Sequence, residues 1–256
     1  MTGFREQGSG TAVMLLHGIS SGAASWHKQM ALPGCRVLAW DMPGYGESPM
    51  LAVEQANAGD YADALALMLD RAGVWQVVLV GHSLGALVAS AFAARYPARV
   101  KQLLLVDPAQ GYGQATAEKR EQVWRSREQQ IALGGESLAQ NRAAALLQPQ
   151  ARGEDIATVA AGMRRLNPHG YLAAAWMLAH DDIHTWLAQY HGAFSVGCGE
   201  QDTITPPEAA RDLASRYGMP YTAIPRAGHA SYLDNDAAFN QWLLQVMEEV
   251  RDECTN

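Results

Sequence analysis

The stretch Val77-Val78-Leu79-Val80-Gly81-His82-Ser83-Leu84-Gly85-Ala86-Leu87-Val88-Ala89 decides how the rest of the chain is read. Four consecutive apolar residues come first, the composition of a parallel strand covered on both faces. Small and apolar residues follow in a run that reads as a helix to Tyr96, where Pro97 stops it. Between them, Gly81-His82-Ser83-Leu84-Gly85 matches the pattern G-x-S-x-G. In that pattern a serine sits on a tight, strained turn with its hydroxyl exposed at the end of the strand. Glycines flank it because side chains would collide across the turn. A chain with 24 glycines matches short Gly patterns by chance, so the flanking strand and helix carry the weight. Ser83 is the candidate nucleophile; a purely structural turn is the alternative.

Working outward, apolar strands at Ala12 to Leu16, Arg36 to Trp40 and Val100 to Val106 alternate with helical stretches near Ala23 to Met30 and Asn57 to Ala72. About ten residues precede the first, room for one short edge strand. After Gly192 the alternation resumes with a strand at Ala193 to Gly197, a helix at Pro207 to Tyr217, a strand at Tyr221 to Pro225 and a closing helix at Asp236 to Arg251. This is the pattern of a doubly wound α/β sheet, whose sites lie at the carboxyl ends of the strands. His17-Gly18, Asp41, Ser83 and Asp107 all stand at such ends. From residue 111 to 190 no strand signal appears. Helical stretches at Glu118–Leu133, Glu136–Leu147, Asp155–Leu166 and Tyr171–Leu178 read as an inserted helical lid, leaving 1–110 and 191–256 as the core domain. Trp124, Met163 and Trp176 in that insertion are candidate substrate-binding residues, with packing as the competing role.

A serine hydroxyl needs an adjacent base, and the base needs an orienting carboxylate. His229, in the loop after the last strand, is the candidate base. Asp202, at the end of the preceding strand, is the candidate acid, and Asp107 is its rival. The Leu84 amide opens the helix after the turn and can serve an oxyanion. The second donor is expected from the Ile19 amide, with Ser20 as the alternative. His17 is expected to brace that loop, Asp41 to hold its own loop by bonds to amides, and His82 to point away from His229. His180, Asp181, Asp182 and His184 read as a polar helix end rather than a metal site.

Composition bounds the rest. The chain has 256 residues, 48% of them hydrophobic and 18% charged, enough for one large domain with an insertion. The formal net charge of −7, with no long basic run, argues against nucleic acid and anionic membrane as partners, and it offers no steering for an anionic substrate. No run reaches the ~18 apolar residues of a membrane span, and Met1 to Gly10 lacks the look of a leader. Cys35, Cys198 and Cys254 suggest neither a disulfide framework nor zinc, so a cytoplasmic protein is expected. Cys198 reads as buried and structural.

His17-Gly18, Asp41-x-Pro43-Gly44-x-Gly46-x-Ser48, Gly81-His82-Ser83-Leu84-Gly85, Gly199-x-x-Asp202-x-x-x-Pro206 and Gly228-His229 occur in the order and approximate spacing of one family. The chain resembles the α/β-hydrolase superfamily in its lid-bearing bacterial branch. The order Ser83, Asp202, His229 is that of this superfamily. The resemblance implies hydrolysis through a Ser-His-Asp triad with no cofactor and no metal. Haloalkane dehalogenases and epoxide hydrolases carry Asp where this chain has Ser83. Carbon–carbon hydrolases of aromatic meta-cleavage pathways usually show Gly-Asn-Ser and His-Trp, where this chain has His82 and Ala230. What remains is similar to carboxylesterases and 3-oxoadipate enol-lactonases. The expected activity is hydrolysis of a small carboxylic ester or lactone, by a monomer or homodimer. The alternatives are a carbon–carbon bond hydrolase, which a pocket arginine such as Arg164 or Arg165 would favour, and a ligand receptor of slow turnover.

Overall fold

A computed structural model describes residues 3–253. Cys254 lies outside them. Seven strands run β1 (Phe4–Gly8), β2 (Thr11–Leu16), β3 (Cys35–Trp40), β4 (Val77–His82), β5 (Val100–Val106), β6 (Phe194–Gly199) and β7 (Tyr221–Ile224). They form one sheet in the order β1-β3-β2-β4-β5-β6-β7. Only β1 is antiparallel, pairing with β3 as an edge strand. The chain steps from β2 out to β3 and then back across to β4 on the other side of β2. That reversal opens a crevice at the carboxyl ends of β2 and β4, where open α/β sheets place their ligands.

The strands are apolar on both faces because both faces are covered. Met14 and Leu16 face one cluster, while Val13 and Leu15 face the other. The first face is packed by α1 (Ala58–Arg71), α2 (Leu84–Arg95) and α8 (Pro207–Tyr217). The second is packed by a 3-10 turn at Ala23–Trp26 and by α10 (Asp236–Glu253), through Trp26, Phe239, Trp242 and Leu243. α1 starts where Asn57 takes the amides of Gly59 and Asp60 while Asp60 returns a bond to the Asn57 amide. α2 is buried from Leu84 to Ala93, so it has no polar face.

Between β5 and β6 lie α3 (Ala117–Ala132), α4 (Gly135–Arg142), α5 (Gly153–Arg164), α6 (Pro168–His180) and α7 (Ile183–Leu187). The two ends of this insertion are clasped. Gly111 bridges Asp182, the Tyr112 amide donates to the Leu178 carbonyl at 3.0 Å, and Gly113 donates to Asp181 at 2.8 Å. The His180–His184 segment, expected as a polar helix end, works as this anchor. Asp181 accepts from the Ala58 amide at 2.6 Å and from the Trp186 indole at 2.8 Å, and Asp182 caps α7.

Local differences from expectation have local causes. Residues 23–30 form no full helix, because Ser25 Oγ donates back to the Gly22 carbonyl at 2.9 Å and closes a short turn. The stretch 136–147 splits into α4 and a 3-10 turn at Ala144–Leu146. α7 went unforeseen; it is only five residues long. No helix among the described residues is long and apolar enough to cross a membrane.

Candidate active site

Ser83 takes φ 53° and ψ −118°, a backbone conformation that L-residues rarely hold. The turn is held by the Ser83 amide, which donates to the Val106 carbonyl at 2.9 Å. Its glycines are steric necessities. A Cβ on Gly81 would stand 2.5 Å from the Gly85 carbonyl oxygen, and one on Gly85 would stand 2.6 Å from that of Leu16.

Three side chains from three loops converge. His229 Nε2 lies 2.9 Å from Ser83 Oγ, and His229 Nδ1 lies 2.9 Å from Asp202 Oδ2. A carboxylate can only accept, so Nδ1 carries the proton and Nε2 is free to accept from the serine hydroxyl. All three residues are buried. Asp202 is locked by the amides of Ile204 and Thr205 on Oδ1, at 2.7 and 3.0 Å. Thr205 Oγ1 adds a bond of 2.7 Å to Oδ2. Burial raises the pKa of the Asp202 carboxyl, but the bonds from His229 and Thr205 outweigh it and hold the group below its ordinary value.

Asp107, the rival acid, is engaged elsewhere. It accepts from the Gly199 amide at 2.7 Å and from Ser231 Oγ at 2.6 Å, tying β5 to β6 and to the loop that carries His229. Burial and the neighbouring Asp202 charge push its carboxyl up to about 7. Asp107, Cys198 and Asp202 bring one potential metal ligand each within 4.8 Å of one another. Their carboxylate oxygens are already taken by hydrogen bonds, and burial pushes the Cys198 thiol up, away from the thiolate a metal needs.

The loop after β2 closes the other side. A Cβ on Gly18 would lie 3.1 Å from that of Ser83. The amides of Ile19 and Leu84 make no hydrogen bond among the described residues, and both residues line the cavity at Ser83. Two groups hold this loop. His17 Nδ1–H donates to the Gly18 carbonyl at 2.8 Å while its Nε2 accepts from the Met42 amide at 3.1 Å. Tyr45 donates its hydroxyl to the Ile19 carbonyl at 2.8 Å. Asp41, expected to hold its own loop by bonds to amides, instead turns its carboxylate to this loop and accepts from the Ala23 amide at 2.8 Å. In its own loop, among the described residues, only its carbonyl is used, by Ser48 Oγ.

His82 corrects an expectation. It does not point away from His229: its Nε2–H donates to the His229 carbonyl at 2.8 Å and the two rings are 5.0 Å apart. Burial and the neighbouring His229 push its pKa down to about 3, so it is a neutral strut beneath the base.

The cavity at Ser83 has a volume of about 410 Å³, within the range of small-ligand sites. The insertion contributes Arg127, Arg142, Leu146, Val159 and Leu178 to its wall. Trp124, Met163 and Trp176, expected to bind substrate, are absent from that wall. Trp124 meets Trp176 edge-on at 5.7 Å, Trp176 stacks on His180 at 3.7 Å, and Met163 is fully buried in the core. Large apolar side chains on short helices are consumed in packing those helices together. Arg164 and Arg165 are also outside it; Arg164 pairs with Glu136 on the surface at 2.6 Å.

A mostly parallel seven-stranded sheet and a strained serine at the crevice define a class of enzyme scaffold. The family model described as "alpha/beta hydrolase fold" matches residues 11–236, and the chain belongs to that family. It is similar to the 2-hydroxy-6-oxononadienedioate/2-hydroxy-6-oxononatrienedioate hydrolase of Burkholderia vietnamiensis, 36% identical over 115 residues, 42% of this chain and 40% of that one. It is also similar to lipase LipV of Mycobacterium tuberculosis, 41% identical over 98 residues, 38% of this chain and 37% of that one. The match thus spans about two-fifths of these relatives. A thermophilic esterase from Thermogutta terrifontis, solved with malate bound, superposes with a TM-score of 0.87 at 27% identity, covering 97% of this chain and 93% of that one. The enol-lactonase of Burkholderia xenovorans shares the fold, with a TM-score of 0.83 at 19% identity over 96% of each chain.

Proposed function

We propose that this hydrolase-fold chain is a serine hydrolase of small carboxylic esters or lactones. One observation carries the reading: Ser83, His229 and Asp202 stand in a continuous line of two 2.9 Å contacts, with Ser83 and His229 on the wall of a ligand-sized cavity. His229 Nε2 takes the proton as Ser83 Oγ attacks the carbonyl carbon, and Asp202 stabilises the imidazolium that results. The uncommitted Ile19 and Leu84 amides receive the oxyanion. The alcohol leaves with the proton from His229, and an acyl-enzyme remains. Water then attacks it, His229 acting again as base, and the acid is released. No step asks for a metal or cofactor. The five helices between β5 and β6 act as the lid that shapes the acyl pocket.

The test is acid release in a pH-stat over aryl esters, alkyl esters and enol-lactones, with Ser83→Ala alongside. Turnover lost in Ser83→Ala supports the reading, and the ranking across the panel separates ester from lactone. Turnover retained by a pure Ser83→Ala sample sinks it. A second reading, carbon–carbon bond hydrolysis of a ring-fission product, is favoured by the curated relatives that act as 2-hydroxymuconate semialdehyde and 2-hydroxy-6-oxo-6-phenylhexa-2,4-dienoate hydrolases. Silence toward the ester panel with loss of the dienoate chromophore on incubation would select it.

A further inference from the structure

The cavity wall has a charge that the whole chain does not. The chain is net −7, yet none of the residues lining the cavity is Asp or Glu, and two of them are arginines. Arg127 comes from α3 and Arg142 from the last residue of α4. Neither has a carboxylate partner among the described residues. Arg127 spends one N–H on Gln130 Oε1, at 3.1 Å, and Arg142 makes no hydrogen bond or ion pair among the described residues. The other ion-forming arginines of the insertion behave differently. Arg125 pairs with Glu121, Arg152 with Asp155 and Arg164 with Glu136. Arg120 donates to the Gly113 carbonyl instead, and Arg165 has no carboxylate partner among the described residues but stands exposed, away from the cavity. What sets Arg127 and Arg142 apart is that their unpaired charges lie side by side on the cavity wall.

Two like charges placed side by side repel each other. Both guanidinium groups are partly buried, and Arg142 is held below its ordinary pKa by burial and by the charge on Arg127. Two adjacent, half-desolvated cations with unspent N–H groups are satisfied by one anion placed between them. The guanidinium fork matches a carboxylate in particular, two parallel N–H groups to two oxygens.

We propose that Arg127 and Arg142 form an anion subsite, so that the substrate is an ester or lactone bearing a carboxylate, held by the insertion while its scissile carbonyl meets Ser83. The proposal rests on the serine-hydrolase reading for the reaction but not for the binding. Net charge therefore misleads as a guide to substrate: the cavity is locally cationic inside an acidic protein.

The test uses a matched pair, mono-4-nitrophenyl glutarate and its methyl ester, which differ only in the distal charge. The wild-type protein is expected to favour the acid at low salt by about tenfold or more in kcat/KM, mainly through KM. Arg127→Gln and Arg142→Gln each bring that ratio toward one, and Arg142→Lys restores part of it. Thermal melts of each variant establish that the fold is intact. Binding of glutarate, followed by calorimetry, gives a readout without turnover and should weaken about tenfold in either Gln variant. Equal kcat/KM for the two esters with no glutarate binding overturns the subsite and leaves the hydrolase reading standing. Failure to cleave either ester, with arginine-dependent glutarate binding, keeps the subsite and overturns the ester reading. Glutarate binding that is indifferent to both Gln substitutions overturns the subsite whatever the esters do.

Discussion

Replacing Ser83 with glycine should make the protein more stable than replacing it with alanine, although both changes remove the reactive hydroxyl. Ser83 stands at φ 53° and ψ −118°, held there by the Ser83 amide bond to Val106 and by the close approach of Gly81 to Gly85. A residue with a Cβ in such a region costs about 1–3 kcal/mol. Glycine avoids that cost but loses about 0.5–1 kcal/mol through the freedom of its unfolded chain. Ser83 lines the cavity, so little packing goes with its Cβ. The difference comes to about 1 kcal/mol in favour of Ser83→Gly, or about 2–4 °C in melting temperature for a chain of this size. The lost bond to His229 Nε2 is common to both variants and cancels. Differential scanning calorimetry of the two proteins in one buffer reads the quantity directly. An alanine variant as stable as the glycine one, or more so, would mean that the turn stores no strain at Ser83, and the steric account of the elbow would fail.

Other expectations concern the groups around the triad. Thr205→Val removes the 2.7 Å hydroxyl bond to Asp202 and should lower kcat about tenfold with KM little changed, which steady-state kinetics on any good ester will show. Tyr45→Phe leaves the buried Ile19 carbonyl without its donor; about 1–2 kcal/mol of stability should be lost, and kcat should fall more than KM rises as the oxyanion loop loosens. Asp107 has a folded pKa of about 7, above its unfolded value of 3.8, so the native state binds more protons across that window and loses stability as pH rises through it. Asp107→Asn removes this titration, and urea unfolding between pH 4 and 8 should show a smaller decline than in the wild type. Asp202 has the opposite sign: its lowered pKa contributes stability above its unfolded value, which is lost as pH falls through the folded one.

The fold was legible because its signals are local. Apolar strand runs, Pro97 after α2 and the turn glycines each act within a few residues of themselves. The same holds for Ser83, Asp202 and His229, which the strand-end loops join through two 2.9 Å contacts at His229. What surrounds them was not legible. Tyr45 acts on a carbonyl 26 residues away, Thr205 on Asp202 within the same turn, and Arg127 and Arg142 through having no carboxylate partner among the described residues; no periodicity marks any of these conditions. Trp124, Met163 and Trp176 were misjudged because bulky apolar residues suit a pocket wall and a helix interface equally well. His82 was misjudged because adjacency to Ser83 was taken to turn it away, whereas the elbow lets both residues reach His229, Ser83 at its ring and His82 at its carbonyl.

The clasp at Gly111 and Asp182 closes the inserted helices into a loop at its root, and bonds such as Ala230 to Leu146, Gln148 to Asp234 and Lys28 to Asp155 moor it to the core further out. Both residues lie outside the β5–β6 register, which runs from Leu103 opposite Phe194 to Val106 opposite Gly197. Ser83, Asp202 and His229 stand at strand ends of the sheet, whereas Arg127 and Arg142 stand on the inserted helices. An exchange of the inserted segment between relatives would therefore be cut at residues 111 and 182, where its two ends already meet.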